Sequence, residues 1–181
     1  MAKDSVLPPT RFFPEEAKAK GTAYHAVMEY VSFDMASVEE AKATLRDLVE
    51  RGVITADEAA DISPKRLYEG VKIIAEKVVQ GASVLREKSF ILHVPANEAG
   101  VADAPDEVEV QGKLDLLVIK GDGSAAIVDY KLSAQSEGEL IDAYQKQLSL
   151  YATAVKSGFG LDPVRKYIFV LGRNELIEIE K

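Results

Sequence analysis

Asp115, Asp129 and Lys131 lie in a stretch whose flanks are built to bring them together. The chain is rich in Val, Ile and Leu from Val110 to Ile119 and from Ala125 to Leu132. Between these runs, Gly121-Asp122-Gly123-Ser124 tolerates positive φ, which predicts two antiparallel strands joined by a tight turn. With the turn centred on Asp122, Asp115 and Asp129 are equally far from the tip and stand opposite each other. Opposed residues share a face, with Cβ atoms about 4.5–5.5 Å apart, and the period of two adds Lys131 to that face. The same register sets Lys113 opposite Lys131 and Leu117 opposite Ile127. Like charges placed directly opposite are destabilising, and a hard divalent cation removes the conflict. Mg²⁺ takes one or two carboxylates together with water and phosphate oxygens. Lys131 could then position or deprotonate an attacking water, or neutralise charge growing on a phosphoryl transition state. A surface hairpin whose acids face water is the bland alternative, and this stretch alone leaves both readings open.

Composition bounds what such a site can serve. The 181 residues make one domain of ordinary size, and the 47% apolar share suits a globular core. No apolar run approaches the roughly 20 residues needed to span a bilayer, and the start, Met1 to Pro9, has no apolar core for a signal peptide. A cytoplasmic setting without membrane partners is the expectation. Zero cysteines exclude disulfides, thiolate zinc sites and iron–sulphur clusters in this chain. The 22 basic against 30 acidic residues give a net charge of −8. Phosphate contact and counterion release make free DNA-binding modules basic, so this balance fits a domain to which DNA is delivered.

The elements that must position these residues are legible from caps and periodicity. Phe12-Phe13-Pro14 leads into a charged segment, and Gly21-Thr22 opens an apolar-periodic run from Ala23 to Phe33. Ser37-Val38-Glu39-Glu40 reads as a capping-box start for a helix that stops at Gly52. Thr55-Ala56-Asp57-Glu58 repeats that signature, and Ser63-Pro64 starts a further helix running to about Gln80. Ser83 to Val94 reads as a strand ending at Pro95, and Asn97 to Asp106 as a flexible loop. After the hairpin come a helix from about Gly138 to Ser157 and closing strands Val164–Leu171 and Glu175–Ile179 around a Gly172-Arg173-Asn174 turn. A helical part over about 1–82, followed by a sheet with its helix over about 83–181, indicates a single mixed α/β domain.

His25 and His93 are the only histidines. His25 follows Gly21-Thr22 near a helix start, where packing or solvation is the plain reading. His93 alternates with apolar residues and is expected to face solvent from a strand. On the late helix, Tyr144, Gln147 and Tyr151 stack on one side. Such tyrosines are usually core, although a glutamine between two phenols also suits contact with a sugar-phosphate backbone.

Five strings stand in a meaningful order: Gly21-Thr22-Ala23-Tyr24-His25, Arg86-Glu87-Lys88-Ser89-Phe90, Gly112-Lys113-Leu114-Asp115, Asp129-Tyr130-Lys131, and Gln147 to Tyr151. In this order, over nearly the whole chain, the sequence resembles the nuclease domain of RecB-like helicase-nucleases of the AddA type, within the PD-(D/E)XK superfamily. The resemblance implies a restriction-endonuclease-like mixed β-sheet flanked by helices. It implies a Mg²⁺ site, with Mn²⁺ as a possible substitute, built from His25, Asp115, Asp129 and the main-chain carbonyl of Tyr130. Asp115, Asp129 and Lys131 would be catalytic, with Gln147 and Tyr151 on DNA. Glu87 would sit at the metal's edge or pair with a nearby lysine. Some relatives hold an iron–sulphur cluster through four cysteines, which this chain lacks.

The resemblance further implies a metal-dependent DNA exonuclease acting on single-stranded ends in double-strand-break repair and recombination. Such relatives are fused to a helicase motor and work with a second helicase-nuclease subunit. No Gly-x-x-x-x-Gly-Lys-Ser/Thr phosphate loop occurs here. The expectation is a C-terminal nuclease domain of a longer chain, against a stand-alone or phage-type exonuclease and a non-catalytic DNA- or partner-binding module.

Overall fold

The computed structural model describes residues 15–95 and 107–180. Helices α1 (Glu15–Tyr30), α2 (Val38–Glu50), α3 (Ala56–Ala60) and α4 (Pro64–Ile74) precede strands β1 (Ser83–Pro95), β2 (Glu107–Ile119) and β3 (Ala125–Lys131). Helix α5 (Glu137–Phe159) and strands β4 (Val164–Val170) and β5 (Glu175–Glu178) follow. The loop expected over Asn97 to Asp106 lies outside the described residues, as does Phe12-Phe13-Pro14.

Local chemistry sets most boundaries. Ser37 Oγ accepts the Glu40 N–H at 3.2 Å, while the Glu40 carboxylate reaches back to the N–H of Ala36 at 2.9 Å. Thr55 with Glu58 and Ser136 with Glu139 form complete capping boxes for α3 and α5. Helix α4 starts on Ser63-Pro64 and continues through a π-helical turn, Ala75–Val79, to Gln80, which turns left-handed at φ 40°. Helix α1 corrects the expected start: it begins at Glu15 and runs through Gly21. The sequence Glu15-Glu16-Ala17-Lys18-Ala19-Lys20 consists of strong helix formers, and one interior glycine costs only about 0.5–1 kcal/mol against them.

The five strands form one sheet in the order β1-β2-β3-β4-β5, antiparallel except for the parallel β3–β4 pair. Apolar residues cover both faces. Leu116, Val118, Ala126, Val128, Tyr130 and Phe169 pack with the N-terminal helices. Leu114, Leu117, Ala125, Ile127, Ile168 and Val170 pack with Leu140, Leu148, Ala152 and Val155 of α5. Sheet order and helical layers are those of a restriction-endonuclease-like fold.

Candidate active site

The hairpin has the expected register where it pairs. Leu116↔Val128, Leu117↔Ile127, Val118↔Ala126 and Ile119↔Ala125 are the partners. Gly123 takes φ +86°, and its N–H closes the turn onto the Lys120 carbonyl at 3.2 Å. The ladder ends at Leu116 and Val128. Beyond it β2 continues against β1 alone and β3 against β4, so the sheet forks.

Asp115 sits in this fork, which corrects the expectation that it pairs directly with Asp129. Its Oδ2 accepts the Tyr130 N–H at 2.7 Å, occupying the main-chain donor that the diverging strands expose. Strict alternation also fails here. Leu114 and Leu117 both pack toward α5, while Leu116 between them packs toward the N-terminal helices. On β1, Glu87 adopts φ 51°, and the pairing with β2 skips Glu87 and Asp115 while resuming in the same register at Lys88↔Leu114. Both strands therefore turn over at one level. A left-handed non-glycine residue costs about 1–2 kcal/mol, and here that strain lies beside the acids.

Helix α1 brings His25 to the fork. Its Nδ1 bonds the Gly21 carbonyl at 2.8 Å, which directs Nε2 toward Asp115 Oδ2, 3.3 Å away. An imidazole oriented through its far nitrogen in this way is the usual arrangement in metal-binding sites. Burial disfavours the imidazolium, yet the Asp115 carboxylate outweighs it, and the pKa is raised above the ordinary histidine value.

Asp129 alternates onto the α5 side and is the one buried charged residue among the described ones, 5% exposed. Lys131 Nζ lies 2.7 Å from its Oδ2 as an ion pair, and no second donor reaches that buried oxygen. Burial pushes the Asp129 carboxyl above the usual carboxylate range, Lys131 pulls it back, and Asp115 adds to the rise. The two acids meet electrostatically through the fork. Burial works against the Lys131 ammonium, but Asp129 more than compensates and its pKa is raised. The ammonium also lies 4.5 Å over the ring of Tyr144, a favourable cation–π contact. Asp129 and Tyr144 thus both favour the cationic form of Lys131. Tyr144 as its platform was visible in the sequence only as a helix neighbour of Gln147.

As the side chains stand, no three His, Asp or Glu groups among the described residues converge closely enough to enclose a metal ion. Asp129 is paired with Lys131, and Asp115 accepts from Tyr130. The donor chemistry nonetheless suits a hard divalent ion, because two carboxylates, one of them buried, and an oriented imidazole border the same fork.

The remaining residues divide. Lys113 does not face Lys131; β2 pairs it with Ser89, and its ammonium forms an ion pair with Glu87. That pairing is one of the two readings expected for Glu87. Gln147 Nε2 donates to Tyr151 Oη at 2.7 Å, and the Tyr151 ring packs edge-on against Phe90 at 5.0 Å. His93 is 65% exposed on β1, as expected, beside Glu109. Sequence reasoning assigned no role to Arg86, which reaches from β1 to the end of α1 and bonds the Val31 carbonyl at 2.7 Å. Opening the polar run Arg86-Glu87-Lys88-Ser89 in β1, it gave no signal of that contact.

The model of the PD-(D/E)XK nuclease superfamily matches residues 5–179. Among curated proteins, the chain is 32% identical over 167 residues to an ATP-dependent helicase/nuclease subunit of Desulforamulus reducens, covering 88% of this chain and 13% of that protein. It is 35% identical over 166 residues to the protein of the same name from Desulforudis audaxviator, covering 85% and 13% respectively. The corresponding Thermoanaerobacter protein is 28% identical over 172 residues, covering 90% of this chain and 14% of its own. The chain thus spans about one seventh of the length of these relatives. No helix among the described residues is long and apolar enough to cross a membrane.

Proposed function

Because the chain belongs to the PD-(D/E)XK nuclease superfamily, we propose that the fork is the active site of a divalent-metal-dependent DNA exonuclease domain. The observation that carries this reading is the buried Asp129 carboxylate, paired with Lys131 alone and interacting electrostatically with Asp115 and His25 across the fork. His25, Asp115, Asp129 and the Tyr130 carbonyl would hold Mg²⁺ or Mn²⁺. When bound, the ion supplies Lewis-acid polarisation of the scissile phosphate and an acidified water. Lys131, kept cationic by Asp129 and propped on Tyr144, is placed to donate to a phosphate oxygen and to stabilise developing negative charge. Tyr130 keeps Asp115 oriented through its N–H, and Gly21 keeps His25 oriented through its carbonyl. Gln147 and Tyr151, at the edge of the fork where Phe90 meets α5, would contact the DNA backbone with neutral donors.

The relatives are named as helicase/nuclease subunits, and the chain matches only a small part of each. The parent chain would carry the helicase motor, pair with a second helicase-nuclease subunit, and process double-strand breaks for recombination. An acidic domain of net charge −8 then needs little DNA affinity of its own, since a motor holds the strand at high effective concentration. The test is hydrolysis of end-labelled single-stranded DNA with Mg²⁺ or with EDTA. Cleavage should require the metal and vanish in Asp129→Ala. Equal cleavage in EDTA, or undiminished cleavage by the variant, would overturn the reading.

A further inference from the structure

Helix α1 carries His25, yet it has no basic residue in its last turn to complement its C-terminal carbonyls. That role falls to a residue far along the chain. Arg86 on β1 donates from Nη2 to the Val31 carbonyl, just past the helix end, at 2.7 Å, and its guanidinium lies 4.7 Å over the ring of Phe33. Val31 itself still belongs to the helical ladder, since its N–H bonds the Val27 carbonyl at 3.1 Å. Arg86 thus grips α1 less than two turns beyond His25.

The guanidinium accepts an imperfect environment to do so. Its Nε is buried without a hydrogen-bond partner in the protein, as is the Tyr130 hydroxyl. Buried orphaned donors are rare. The two side chains interact electrostatically, so these groups share one neighbourhood. Tyr130 shows what is held: its N–H orients Asp115, and its ring meets the His25 ring edge-on at 6.0 Å.

We infer that Arg86 is a positioning residue, which fixes the depth of α1 so that His25 meets Asp115 and Tyr130. It touches neither substrate nor metal and acts through the helix. The inference rests on the reading of His25 as a metal ligand, but its structural half can be read without metal.

Three substitutions in the full chain test it. Arg86→Met removes the grip while keeping an apolar stem, Arg86→Lys restores a cation, and Leu48→Ala, a buried position on α2, the helix that packs on α3 and α4, serves as a destabilised control. Mn²⁺ affinity, measured by electron paramagnetic resonance, should weaken about 10- to 100-fold in Arg86→Met, less in Arg86→Lys, and stay unchanged in Leu48→Ala. The turnover rate should fall while KM for DNA holds. In metal-free protein, nuclear Overhauser contacts between the His25 and Tyr130 rings should weaken in Arg86→Met alone. Unchanged Mn²⁺ affinity and ring contacts in Arg86→Met would overturn the inference, as would an equal loss in Leu48→Ala. If the wild type binds no Mn²⁺ while the ring contacts respond as expected, the positioning role stands and the metal assignment fails.

Discussion

Gly112→Ala should damage this protein through contacts that can be counted from the structure. A Cβ at Gly112 would stand 2.5 Å from Phe90 Cζ, 2.7 Å from Phe90 Cε1 and 3.0 Å from Tyr151 Cε1. Carbon atoms settle at about 3.5–4.0 Å, so the Phe90 ring or strand β2 must retreat by about 1 Å. The ring cannot leave freely, because it packs edge-on against Tyr151, whose hydroxyl is held by Gln147. Overpacking of this kind costs about 1–3 kcal/mol. At about 2–4 °C per kcal/mol for a chain of this size, Tm should fall by about 2–12 °C. If β2 yields instead of the ring, Asp115 moves with it, and activity should fall further than stability explains. Calorimetry of the wild type, Gly112→Ala, Phe90→Ala and the double variant forms the decisive cycle. The glycine substitution should cost markedly less when Phe90 is already alanine. Equal penalties in both backgrounds, or no penalty at all, would refute the packing argument.

Millimolar Mg²⁺ or Mn²⁺ should raise Tm by mass action, and Asp129→Ala should abolish that rise; a wild type whose Tm ignores metal would count against the site. Lys131→Ala should retain metal binding, since an ammonium is no ligand, while cleavage drops by at least about a hundredfold, which single-turnover kinetics on labelled DNA would show. In the metal-free chain, the raised His25 pKa means that its pairing with Asp115 stabilises the fold fully below the unfolded value of about 6.5. That contribution is lost as pH rises through the folded value, so the stability gap between wild type and His25→Asn should shrink with rising pH in urea titrations. Metal binding follows the opposite course and should weaken as pH falls through the same range, because the ligand must be neutral. One residue inserted between Gly121 and Gly123 should impair cleavage more than circular dichroism, by shifting Asp129 against Asp115.

Local chemistry was enough to read the elements. Ser37, Thr55 and Ser63 each cap a helix through their own hydroxyls, and the Gly-Asp-Gly tip fixes the register from Leu116↔Val128 to Ile119↔Ala125; the start of α1 at Glu15 and the Ser136 cap of α5 are the exceptions. The sequence likewise singled out Asp129 as a carboxylate following the apolar run Ala125 to Val128, and the structure buries it among those neighbours. It could not determine how the acids meet. A period of two assumes that paired strands stay paired, and they part beyond Leu116, where β3 follows β4 while β2 follows β1. That choice depends on partners distant in sequence. Leu114, Leu116 and Leu117 are all buried because both faces of the sheet are covered, so their apolar character carried no trace of the turnover at Asp115. The grip of Arg86 on Val31 is likewise a tertiary fact: a helix end looks the same in sequence whether its carbonyls meet water or a guanidinium from another layer.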